Sequence, residues 1–103
     1  MKAETHEAIL AYMADLEGRG IKLGRYAMFN DDSKPNCIAG HASIDKLYGQ
    51  PFTRTLEVSV AGQALMASFE LSEAEAEGLV EANDDASYET PELGIRAWLG
   101  GMS

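Results

Sequence analysis

"TRTLEVSVAGQALMASFEL", residues 53–71, decides what kind of protein this chain folds into. Leu56, Val58 and Val60 alternate as they would on a half-buried strand, and Ala61-Gly62 could turn a hairpin back through the residues that follow. Wound instead as a helix capped by Thr55, the same stretch brings Val58, Ala61, Leu65 and Phe69 close to one stripe. The segment "LEVSV" pulls toward strand, whereas the alanine, leucine and methionine after Ala61 pull toward helix. A helix is the expectation here, with a single β-hairpin around residues 55–71 as the alternative. Gly62 weakens that helix, yet permits a neighbour to pack closely.

Working outward, the pattern becomes plainer. In "LSEAEAEGLVEAND", residues 71–84, Ser72 and Glu75 form a capping box. Ala76, Leu79 and Val80 make the buried face, and the helix is expected to end near Asn83. Thr90 then caps "PELGIRAWLG", with Pro91 at the first helical position, where its missing N–H is no loss. Leu93, Ala97 and Trp98 lie close together on that helix.

Upstream, Ile9, Tyr12, Met13 and Leu16 fall at helical spacing and predict a helix over 3–17, stopped by Gly18, with Lys2, Glu4, Glu7 and Asp15 on its outer face. The stretch "RGIKLGRYAMFNDDSKPN", residues 19–36, is punctuated by glycines and a proline. It reads as a short helical turn or as an irregular apolar strap around Leu23, Tyr26, Met28 and Phe29. A helix capped by Asn36 should run from there to about Tyr48, with Gly49 as its stop and Pro51 beyond. The sum is an all-α fold, a small bundle of about five short helices.

At 103 residues the chain is long enough for one core, so residues 1–103 are expected to form a single small acidic helical domain. Seventeen acidic against eight basic residues give a net charge of −9. Such a chain is repelled by nucleic-acid phosphates and by anionic membrane surfaces, so neither is an expected partner. The same field attracts a protein partner with a basic surface, including one that ordinarily holds nucleic acid. One cysteine forms no internal disulfide and suits a reducing compartment. With no signal-peptide pattern and no membrane-length apolar run, the expected location is cytoplasmic.

The candidate chemistry lies in "NDDSKPNCIAGHAS", residues 30–43. Cys37 stands near a helix N-terminus, where unpaired N–H groups favour a thiolate, and His41 follows one turn later, about 5–6 Å away at Cβ. Cys37 and His41 are therefore the catalytic candidates if the chain is a thiol enzyme or redox sensor. Against this, i,i+4 side chains project in near-parallel fashion, no orienting third residue appears, and "IAGHAS" is rich in the small residues that closely packed helices use. A packing role for the motif is the expectation. Two ligands fall short of the four that zinc takes, and Asn30-Asp31-Asp32 and Asn83-Asp84-Asp85 lack the spacing of a calcium loop, so they read as solvated loops. No metal and no cofactor are expected, since phosphate-loop and nucleophile-elbow patterns are also missing.

"CIAGHA", Cys37 to Ala42, followed by Ala61, Leu65, Leu71, Ser72, Glu75, Ala76 and Leu79, resembles a group of small uncharacterised helical proteins of bacteria and their phages. They share a Cys-Ile-Ala-Gly-(Trp/His)-Ala run, and "YAMFND" sits where they often have a short aromatic–methionine segment. Members often carry a second cysteine five residues before the first, where this chain has Asp32. The resemblance implies a helical residue 53–71 segment and suggests a phage or prophage setting.

Three functions follow. The first is a non-catalytic acidic interaction domain, in its phage form an anti-CRISPR-like inhibitor that occupies the basic groove of a host nucleic-acid-binding protein. Its partner-binding residues are expected among Asp31, Asp32, Glu73, Glu77, Asp84 and Asp85. The second is the Cys37/His41 thiol enzyme or sensor. The third is a helical module that oligomerises or binds a small ligand through Tyr26, Phe29, Tyr48 and Trp98.

Overall fold

Five helices, α1 (Ala3–Gly18), α2 (Ile38–Asp45), α3 (Val60–Phe69), α4 (Glu73–Asp84) and α5 (Pro91–Gly101), make up the regular structure of the computed structural model, which describes residues 1–50 and 58–101. The contested stretch is therefore helical where it is described. Ser59, not Thr55, caps α3, its Oγ accepting from the Gly62 N–H at 3.0 Å. Thr55 and Leu56, on which the other start and the first hairpin arm depended, lie outside the described residues. Val58, Leu65 and Phe69 are buried as the helical stripe requires. Among the described residues there is no strand, only an isolated antiparallel bridge between Phe29 and Pro35.

The local signals around α4 and α5 work as their chemistry dictates. Ser72 accepts from the Glu75 N–H while the Glu75 carboxylate accepts from the Ser72 N–H, so the capping box is complete. Thr90 Oγ1 accepts from the Leu93 N–H at 3.3 Å, and Pro91 opens α5.

Three details differ from expectation. Gly18 lies inside α1, and the left-handed turn that ends it is at Gly20, φ 73°. Asn36 does not cap α2, because its side-chain amide points back to donate to the carbonyls of Arg25 and Ala27. That helix stops at Asp45, and the chain then turns through Tyr48 and Gly49, both at positive φ. On α5, Ile95 and Leu99 face the core, while Leu93 is about half exposed.

One core cluster joins all five helices. α1 contributes Ile9, Tyr12, Met13 and Leu16, α2 contributes Ile38, Ala39 and Ala42, and α3 contributes Ala64, Leu65 and Phe69. Ala76, Leu79 and Ala82 of α4 and Ile95 and Leu99 of α5 close it. The Tyr12 and Phe69 rings meet at 5.7 Å between centroids, tilted by 55°. Small residues let the helices approach. A Cβ on Gly94 would collide with the carbonyl of Ala82, and one on Gly78 would come within 2.9 Å of the Trp98 indole nitrogen. No helix among the described residues is long and apolar enough to cross a membrane.

Candidate functional site

Residues 24–36 carry no helix, yet a set of hydrogen bonds ties this strap down, although the buried Arg25 Nε finds no partner among the described residues. Its ends are joined by Gly24 N–H to Asn36 O and by Asn36 N–H to Met28 O, both 2.8 Å. At its tip, Asn30 N–H donates to Lys34 O, and the Asn30 side-chain oxygen accepts from the N–H groups of Asp32 and Lys34. Such an Asx-type brace fixes a tight turn without a hydrophobic core beneath it. Asp31 and Asp32 are consequently exposed on a turn of defined shape, with Phe29, 39% exposed, at its base.

The strap is anchored to the end of α4 by Asn83 and Asp84, whose local pattern read as a solvated loop. Asn83 is only 1% exposed; its oxygen accepts from the Ile38 N–H at the start of α2, and its amide donates to Gly24 O and to Asp84 Oδ1. Asp84 Oδ1 in turn accepts from the Tyr26 N–H at 2.8 Å. The guanidinium of Arg25 donates to the carbonyls of Tyr88 and Asp85, at 2.5 and 3.4 Å. Between these bonds Tyr26 sits at φ 75° with its side chain 71% exposed. A bulky residue in that conformation is a genuine outlier.

The six candidate acids divide accordingly. Asp31, Asp32 and Glu73 are exposed. Glu77 accepts from the N–H and Oγ of Ser59, bracing the start of α3 against α4. Asp84 holds Tyr26, and Asp85 accepts from the N–H and Oγ of Ser87. Those Ser87 bonds, with the Arg25 charge behind them, hold the Asp85 carboxyl below the usual range. Asn83 and Asp84 thus belong to the structural frame, contrary to the expectation of a solvated loop.

Cys37 and His41 are placed quite differently. Cys37 is 5% exposed at the N-cap of α2, and burial pushes its thiol pKa up despite the backbone N–H groups of Ala39 and Gly40. A nucleophile needs the opposite shift and an open approach. His41 is half-buried; burial lowers its pKa, Asp45 pulls the other way, and Arg19 adds to the lowering. His6 is remote in role, its Nε2 paired with the Leu99 carbonyl at 2.9 Å. Of the aromatic candidates, Tyr26 and Phe29 share the strap, whereas Tyr48 follows α2 and Trp98 lies against α4.

The "IAGHA" run does have a task. A Cβ on Gly40 would run into the carbonyl of Met28, so this glycine is where the strap lies directly on α2. Beside the strap, a groove of about 600 Å³ separates residues 17–25 from the start of α5. Its charges are largely answered within the chain: Arg96 meets Glu17 at 3.2 Å, and Glu92 accepts from the Leu23 N–H at 3.1 Å. Comparison with protein-family models, with curated proteins and with solved structures finds no match.

Proposed function

We propose that this chain is a non-catalytic docking module that engages a basic protein surface through the strap at residues 24–36. Its phage form, suggested by the resemblance at Cys37–Ala42, is an anti-CRISPR-like inhibitor of a host nucleic-acid-binding protein. The observation that carries this reading is Tyr26. Holding a tyrosine at positive φ costs about 1 kcal/mol or more. Tyr26 is 71% exposed, so burial of its side chain offsets little of that cost. Conformational outliers of this kind concentrate where a protein meets a ligand, and exposed tyrosines are frequent anchors of protein interfaces.

Charge selects the partner. Asp31 and Asp32 stand on the same strap, and the chain as a whole carries −9, so a basic surface is drawn in and phosphate is kept out. The test is capture from a nuclease-treated bacterial lysate on immobilised protein, with Tyr26→Ala and Asp31→Asn/Asp32→Asn baits alongside the parent chain. A specific partner should be retained by the parent, released by about 0.5 M salt as screening shortens the reach of its charges, and reduced on both variant baits. Equal retention on the Tyr26→Ala bait would sink the proposal.

A further inference from the structure

Beside the Asp85–Tyr88 turn, α4 and α5 leave a notch of about 310 Å³. Gly78, Ala82, Gly94 and Ala97 form its small-residue floor, and Trp98 and Tyr88 border it. The rings are seated by the glycines. The indole lies against Gly78, close enough that a Cβ there would stand 2.9–3.2 Å from Nε1, Cε2 and Cζ2, and the Tyr88 ring edge would be 3.4 Å from a Cβ on Gly94. The remaining lining residues are Glu81 and Asp85. Glu81 is exposed, and Asp85 engages Ser87 through one oxygen, Oδ1.

The composition of this notch is one-sided. Two aromatic side chains and two carboxylates line it, and among the described residues no cationic side chain does, in contrast to the mixed charges of the 600 Å³ groove. Arg25 does not line the notch; it donates to the backbone carbonyls of Asp85 and Tyr88, and its charge reaches the Asp85 carboxylate from behind, which leaves Glu81 as the more open of the two acids. Aromatic rings attract cations through their quadrupole, and carboxylates add Coulombic attraction and hydrogen-bond acceptors.

We infer that the notch between α4 and α5 receives a cationic side chain, arginine or lysine, of the basic partner. This rests on the docking reading above and names a second contact for it, since the strap and the notch meet at residues 84–88. An alkyl stem would lie between Trp98 and Tyr88 over the glycine floor, with its charged head toward Glu81 and Asp85. Neutral groups of the same shape lack the charge that this lining recognises.

Trp98 is the sole tryptophan, so its indole N–H gives one unmistakable signal in a nitrogen–proton correlation spectrum. The experiment titrates the protein with the peptide acetyl-Gly-Arg-Gly-amide and, separately, with its citrulline counterpart, which keeps the shape and removes the charge. The arginine peptide should shift the Trp98 signal saturably in the millimolar range, and citrulline should not. Glu81→Gln, an exposed substitution that leaves the core untouched, should weaken arginine binding by about threefold to fivefold, the worth of one exposed charge contact. Equal responses to the two peptides, or a shift that never saturates, would overturn the inference.

The lysate capture separates the two failures. A Glu81→Gln bait that retains partner undiminished while Tyr26→Ala loses it removes the notch and leaves the strap reading standing. A Tyr26→Ala bait that captures as well as the parent removes the docking reading, whatever the peptides show.

Discussion

At the N-terminus of α2 two effects compete for the Cys37 thiol. Helix N–H groups favour the thiolate, but burial disfavours it by more, and the pKa rises. Native Cys37 should therefore react slowly with iodoacetamide at neutral pH and rapidly once urea unfolds the chain. Fast native labelling that titrates below the ordinary thiol value of about 8.5 would contradict this. His41 carries a second consequence. Its folded pKa lies below 6.5, so between that value and the folded one the unfolded chain binds more protons. Stability should consequently fall as pH drops from 6.5 toward 5. Asp45, whose pKa stays below 3.8 because bonds from Arg19 and Tyr12 outweigh its burial, contributes its loss only at lower pH. The urea midpoint of the parent should thus drop between pH 6.5 and 5, and that of His41→Gln should drop less; identical losses would assign the effect elsewhere. The small residues of "IAGHAS" pointed to a packing role, which the burial of Cys37 matches, but i,i+4 spacing says nothing about which element packs over that face.

Among the elements, the signals that could be read in advance were those closed within a few residues. Ser72 with Glu75 and Thr90 with Pro91 complete themselves inside one helical turn, and both stand as expected. The cap of α2 was missed because it comes from 45 residues away: the Ile38 N–H finds Asn83 of α4 rather than neighbouring Asn36. The face of α5 is set in a related way, since Ile95 and Leu99 are buried by helices that the local pattern does not mention. Asn83→Ala should cost about 1–3 kcal/mol, because a buried N–H loses its acceptor, and it should also free Gly24 and Asp84 to loosen the strap. Gly40→Ala should cost a similar 1–3 kcal/mol, since the added methyl meets the Met28 carbonyl and the strap must lift. Both are checked by urea denaturation, with Ser72→Ala, expected to cost about 1 kcal/mol, as a control remote from the strap. If Asn83→Ala cost no more than Ser72→Ala, the bridging role assigned to it would be wrong.

Over the whole molecule, folding and docking should respond to salt with opposite signs. The ion pairs Arg19–Asp15 and Arg96–Glu17 are exposed, and exposed pairs contribute little to stability. Seventeen acids against eight bases leave a surplus of like charge confined within extents of 30 × 28 × 23 Å, and its self-repulsion opposes the folded state. Raising NaCl from about 0.05 to 0.5 M shrinks the screening length from more than 10 Å to less than 5 Å. Repulsion spread over the surface is weakened more than the few contact pairs, so the melting temperature should rise. Attraction to a basic partner acts over the same distances, so affinity should fall across the same range. A melting temperature that falls with NaCl would mean that the ion pairs outweigh the net charge. A partner whose affinity ignores salt would mean that Tyr26 and its apolar contacts, rather than the acids, dominate the interface.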